Sequence, residues 1–397
     1  MAGSELPVFP FDTPPELDTE PEYAQLRREN PVPRVRLAPG GEAYLASRYE
    51  DVKRVLSDPV FSRAATSDPG VAVLRPVSRN PYLMLSLDAP EHTRVRRLVA
   101  RAFTARSVEL LRPRVEQIVD ELIDTMVARP RPVDFVTAFA FPLPAMVISE
   151  MMGVAVADVE RLRSWLDIVI SVTAHTPDEI RTAGGQMYAY LEQLVAIKRA
   201  NPGDDLLTRM IQARDEEDRL SEPELVNNAY LLLIGGYETT AGLLTNSLVT
   251  LHRHPEQLAM LREKPELVPN AVEEMLRYVR IVKSLLERVA ARDVQLSGVT
   301  VPAGSTVIPL SYSANRDEAL VDDPDRFDIT RSPSPHLGFG SGLHFCIGAP
   351  LARLELRAAF EGLLRRLPDL RPAVDVSEIE WKQGLMTRGP VALPVTW

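Results

Sequence analysis

Between residues 224 and 252 apolar side chains recur at helical spacing for about 29 residues, and the middle of that stretch, AYLLLIGG (229–236), is apolar on every face. At the standard rise such a helix is roughly 43 Å long. A rod of that length, greasy all round, has to pass through the centre of a protein with other elements wrapped about it. Stripes at 115–127, 143–152, 159–171 and 186–199 predict those wrapping helices; in the first, Val115, Ile118, Val119, Leu122, Ile123 and Met126 share one face. Strand-like alternation is confined to 42–47 and to 293–312, where Gly298 and Pro302-Ala303-Gly304 signal turns. Ser47 is placed to cap a helix carrying Val52, Val55 and Leu56.

Eight prolines in the first 40 residues predict an irregular arm over the body rather than a helix. From 59 to 90 periodicity is lost, and a loop of that length is suspected of function. Length alone allows two domains or one. With no repeat, low-complexity tract or linker, the expectation is a single domain over 1–397, mostly α with a minor β component.

A formal charge of −10 argues against a general nucleic-acid binder, which needs a basic surface. One cysteine, Cys346, excludes an internal disulfide framework and multi-cysteine zinc sites, and suits a reducing compartment. The N-terminal stretch has neither basic nor apolar region of a secretory signal, and no apolar run reaches a bilayer's thickness. A cytoplasmic location without membrane attachment is expected.

The chemistry concentrates in PHLGFGSGLHFCIGAPLARLEL (335–356), where glycines 338, 340, 342 and 348 crowd the lone cysteine just before a helical stripe. Glycines permit positive φ and leave room for a flat ligand, and a helix N-terminus stabilises a thiolate. A buried structural cysteine in a glycine-rich turn is the alternative. A second signal is Gly235-Gly236-Tyr237-Glu238-Thr239-Thr240, where two glycines and a threonine pair weaken the long helix. A glycine costs about 1 kcal/mol there relative to alanine, and a threonine hydroxyl can divert the hydrogen-bond ladder. Glu274 and Arg277 share a helix face, as do His92 and Arg96. Taken singly, each pair is as easily a surface pair.

Together these segments resemble the cytochrome P450 family over nearly the whole chain, from 43–59 to 381–397, with the motifs in the family's order. Phe339, Gly342, Cys346 and Gly348 match its heme-binding loop, FxxGxxxCxG. The resemblance implies heme b (iron protoporphyrin IX) buried between the long central helix and the cysteine loop, with Cys346 as iron ligand and Phe339 packed on the sulfur side. Gly235, Gly236, Glu238 and Thr239 match the oxygen-activation motif, with Glu238 and Thr239 as proton relay. His92, Arg96, Arg288 and His344 match the propionate contacts, four cations on a dianion. Glu274, Arg277 and Arg326 are the implied structural ion-pair network.

The family often has a proline shortly after the position of Arg277; here YVRIVK (278–283) follows, leaving Arg280 and Lys283 either to meet a polar substrate or to reach solvent. By resemblance, Leu83, Met84, Ile234, Ile281, Lys283, Leu285, Leu385 and Met386 fall at substrate-pocket positions and imply a mid-sized, largely apolar natural product. The reaction implied is hydroxylation, epoxidation or oxidative coupling by a monomer. Electrons are then expected from NAD(P)H through a reductase and an acidic ferredoxin at the proximal face, where Arg94, Arg97, Arg101 and Arg106 form either a docking patch or simply a solvated basic stretch. A non-catalytic heme-binding or gas-sensing protein would need the cofactor grip but not Glu238 and Thr239.

Overall fold

The computed structural model describes all residues except 1–5, 12–16, 18–19, 75–79, 172–173, 216–219, 283–285, 332–335 and 386. Its axis is the helix Glu222–Arg253, 32 residues long. A capping box starts it: the Ser221 hydroxyl accepts from the Glu224 amide at 3.3 Å, and the Glu224 carboxylate accepts from the Ser221 amide at 2.7 Å.

The most enclosed half is not the most apolar one. Every residue from Thr240 to Leu251 is buried, polar ones included, whereas Leu231, Ile234, Gly235 and Thr239 are only partly covered or open. Two of the buried hydroxyls are satisfied by the helix itself: Thr250 donates to the Asn246 carbonyl at 2.8 Å, and Thr245 donates to that of Ala241. The apolar half is where a cavity opens.

The wrapping helices form at Arg112–Val127, Pro142–Met152, Val159–Val169 and Pro177–Ala200. All four join the central helix, Val268–Tyr278 and Ala349–Arg366 in one hydrophobic cluster that draws on both halves of the chain. Among the described residues there are three small sheets, one of which lends Val133 and Val395 to this cluster. The largest runs Val8–Phe9, Arg34–Leu37, Glu42–Ala46, Thr306–Pro309, Arg288–Ala290, Phe61–Ser62. Strands Val294–Leu296 and Val299–Val301 pair antiparallel through Ser297 and Gly298, both at positive φ, the two-residue turn that matches strand twist.

Two local expectations are corrected. The proline-rich arm contains a regular helix, Pro21–Glu29, because Pro21 stands in the first turn, where its missing N–H is no loss. Ser47 does not cap the helix Tyr49–Ser57; its hydroxyl donates to the Pro31 carbonyl at 3.0 Å, and Arg48 occupies the cap position. Among the described residues no helix is long and apolar enough to cross a membrane.

Candidate active site

A cavity of about 340 Å³ lies between the central helix and the cysteine loop. Leu231, Leu232, Gly235, Gly236, Thr239, Thr240 and Leu243 line it from the helix, and Gly338–Ser341 with His344–Gly348 face them. Cys346 presents its thiol to this space, and burial within the surrounding protein pushes the thiol pKa up. Backbone N–H groups of Gly348 and Ala349, at the start of the helix Ala349–Arg366, bond to the sulfur and act in the opposite direction, as does the Arg96 guanidinium. These are the groups that stabilise a thiolate. The Cys346 amide donates to the Phe339 carbonyl at 2.9 Å, which closes the loop beneath the sulfur.

Two loop glycines serve the fold rather than ligand clearance. A Cβ on Gly342 (φ +70°) would lie 2.6 Å from Ser57 Cα, and one on Gly338 would lie 2.6 Å from the Leu276 carbonyl oxygen. Close approach of backbone to backbone is what requires glycine at both.

At one edge of the cavity His92, Arg96, Arg288 and His344 converge. The rings of His92 and His344 stand 4.3 Å apart, and all four of their nitrogen atoms are buried without a hydrogen-bond partner. Arg96 donates to the Phe345 carbonyl at 2.6 Å, and Arg288 to that of Leu286 at 2.8 Å. Burial, then the neighbouring Arg96, lowers the His92 pKa to about 4. Burial, then Arg288 and His92, lowers that of His344 to about 2. Burial, then Arg63, brings Arg288 down to about 9. Two guanidiniums and two imidazoles thus meet at this edge, the imidazole pKa values held low by burial and by the neighbouring guanidiniums. Unpartnered imidazole nitrogens beside desolvated guanidiniums are what a buried dianion would satisfy. With a sulfur ligand below and a glycine-bared helix face above, these residues fit a heme carrying two carboxylates.

On the central helix the Thr239 hydroxyl donates to the Gly235 carbonyl at 2.8 Å. Gly235 has no atom near where a Cβ would stand, while a Cβ on Gly236 would meet Ile148 Cγ1 at 2.9 Å. Glu238 is not among the cavity-lining residues: its Oε1 accepts from Lys382 Nζ at 3.0 Å and from the Thr387 hydroxyl at 3.2 Å. The carboxyl that does line the cavity is Glu355, fully enclosed and hydrogen-bonded to Thr240, with burial raising its pKa to about 8. Sequence reasoning missed it. The available signal was an acid set among the apolar positions of LARLEL (351–356).

Glu274 and Arg277 form a buried bidentate pair, with both bonds at 2.8 Å, and Arg277 also donates to the carbonyls of Asn315 and Pro324. The third guanidinium is a correction. Arg331 Nε lies 3.5 Å from Glu274, whereas the Arg326 side chain is exposed beside Asp328 and only its carbonyl accepts from Arg277, at 3.2 Å. The two arginines lie five residues apart in one meander, and spacing cannot tell which turns inward.

Of the substrate-pocket residues, Met84 and Ile281 line the cavity; Leu83, Ile234 and Leu385 do not, and Lys283, Leu285 and Met386 lie outside the described residues. Arg280 reaches neither substrate nor solvent. It is 1% exposed and paired with the equally buried Glu20 of the N-terminal arm. Of the basic stretch, Arg94 is engaged by Glu224, while Arg97, Arg101 and Arg106 are exposed.

The family model for cytochrome P450 matches residues 146–392. The chain is similar to the nocardicin C N-oxygenase of Nocardia uniformis subsp. tsuyamanensis, at 45% identity over 100% of both chains. It is likewise similar to the mycinamicin IV hydroxylase/epoxidase of Micromonospora griseorubida, at 44% identity over 100% of both. Among solved structures, that of HinD with NMFT and NO superposes with a TM-score of 0.96 at 45% identity, covering 99% of this chain and 100% of that one. A cysteine loop, a propionate-ready edge and full-length relatives at this identity lead to one conclusion: the chain belongs to the cytochrome P450 family of monooxygenases.

Proposed function

We propose that this protein hydroxylates or epoxidises a mid-sized, largely apolar natural product, using heme b held by Cys346 and electrons delivered from NAD(P)H through a reductase and a separate ferredoxin. The observation that carries this reading is the single cavity that joins Cys346, the Gly235–Thr240 face and an apolar wall including Met84, Leu243, Ile281 and Val282. When bound, the heme supplies dioxygen binding and reductive O–O cleavage, which a thiolate ligand favours.

The remaining work falls to the chain. Amides of Gly348 and Ala349 hold negative charge on the Cys346 sulfur. Arg96, Arg288, His92 and His344 take the heme carboxylates. Gly235 leaves the helix face open, and the Thr239 Oγ1, now donating to Gly235, can turn its proton to the cavity. Glu355, protonated near neutrality, is a second proton holder beside Thr240. Glu238 joins the relay only by exchanging its bond to Lys382. The natural-product class rests on the relatives named above.

Exposed Arg97, Arg101 and Arg106 suit an acidic ferredoxin: Arg96 of the helix Glu91–Ala100 bonds the cysteine loop, and Ala105–Glu109 packs on Ala349–Arg366, so this basic stretch lies on the cysteine side. The test is consumption of NADPH and oxygen, dependent on substrate, with reductase and ferredoxin, together with product mass. A product without added oxygen overturns hydroxylation and epoxidation. Cys346→Ser should lose the red-shifted Soret band of the reduced CO complex along with turnover.

A further inference from the structure

Asn227 and Asn228 interrupt the apolar half of the central helix, although asparagine is a poor helix former that competes for backbone hydrogen bonds. Asn228 stands seven residues before Gly235 and eleven before Thr239, so it continues the stripe of the helix that faces the cavity. It does not line the cavity itself.

Its side chain is fully buried, and its amide is fully used. Oδ1 accepts from the Met84 N–H at 2.9 Å, and Nδ2 donates to the carbonyls of Tyr82 at 3.0 Å and Glu224 at 2.7 Å. Next to it, Asn227 Oδ1 accepts from Asn80 Nδ2 at 2.8 Å. The segment Asn80–Ser86 has only a single 3-10 turn of its own, Met84–Ser86, yet it carries Met84 and Leu85 onto the cavity lining. An apolar residue at 228 would fill the same volume without needing three partners. It would lack the means to hold Tyr82 and Met84 in one register against the helix.

We infer that Asn228 is a specificity-determining positioning residue: it clasps the Tyr82–Met84 backbone so that the Met84 side chain covers the apolar end of any ligand large enough to reach it. The ligand class selected is one with a bulky apolar group distal to the reacting atom, and the adaptable thioether of Met84 moulds to that group. This rests on the reading of the cavity as a heme and substrate pocket.

The experiment uses the full-length heme-loaded protein and two iron-binding probes, imidazole and 4-phenylimidazole, titrated spectrally against the native chain, Asn228→Leu, Met84→Ala and the double variant. Imidazole lacks the distal apolar group that Met84 is inferred to cover, and its affinity should stay within about twofold. Affinity for 4-phenylimidazole should fall by about tenfold in each single variant, with no further fall in the double variant, because both changes remove one contact. Additive losses, or an equal loss for both probes, would overturn the inference in favour of general packing. Should Asn228→Leu fail to fold, Asn228→Ser, which is polar but too short to span the gap, must give the same probe selectivity and faster hydrogen exchange at the Met84 amide. Unchanged exchange there also overturns it. If the native protein gives no spectral shift with imidazole, the reading of the pocket has failed instead.

Discussion

Glu355 carries an ionisation the fold has altered more than most. It is enclosed in the protein, and burial raises its pKa to about 8, the Thr240 hydroxyl acting in the opposite direction. In the unfolded chain a glutamate loses its proton near pH 4.3, so between that pH and about 8 the folded state holds the proton that the unfolded state has released. The unfolded state binds fewer protons over this window, and stability falls as pH rises. Glu355→Gln removes the titration. Its stability relative to the native protein should therefore climb by roughly 1.4 kcal/mol per pH unit between about pH 5 and 7. Urea unfolding at a series of pH values measures this, and a pH-independent difference would mean that Glu355 ionises freely in the fold.

Adjacent glycines in one helix do opposite things. Gly236 packs against Ile148 and has no room for a methyl group, whereas Gly235 faces open space on the cavity. Gly236→Ala should destabilise by about 1–3 kcal/mol, since Ile148 has to shift. Gly235→Ala should be neutral or stabilising by about 0.5–1 kcal/mol, because alanine favours the helix, while weakening 4-phenylimidazole by occupying its space. Denaturant titration and spectral titration separate the two; equal stability losses would contradict the packing described. Thus a glycine pair that reads as one weak point in the sequence divides into a packing contact and an opening.

Across the molecule, the N-terminal arm is tied to the cavity wall by charge. Arg280 and Glu20, 260 residues apart, pair in the interior with Tyr23 beneath the guanidinium, and the Arg280 carbonyl accepts from Asn246 of the central helix at 3.0 Å. Arg280→Met leaves Glu20 buried and unpaired and should cost about 3–5 kcal/mol, with Glu20→Gln in the same chain restoring part of it, as chemical denaturation would show. Charge also acts at longer range. The chain is acidic overall, so for the acidic ferredoxin proposed above the exposed arginines on the cysteine side would be the local attraction. Raising ionic strength from about 0.05 to 0.5 M should slow electron delivery, and Arg101→Glu should flatten that dependence. Stopped-flow reduction of the iron reads both; a salt-independent rate would remove the arginines from docking.

The periodicity of 224–252, the spacing around Cys346 and the pairs His92/Arg96 and Glu274/Arg277 were legible from residues alone, because each depends on local helical geometry or on a contiguous loop. The fold class follows from that periodicity, and the family from the resemblance that these motifs and their order carry. Which carboxyl meets the cavity was decided only in three dimensions: Glu238 turns to Lys382 and Thr387, and Glu355 takes the lining position. The same holds for Arg331 displacing Arg326 beside Glu274, and for Arg280 finding Glu20. A side chain's direction and its desolvation are set by segments distant in sequence, and periodicity along one element carries no record of them.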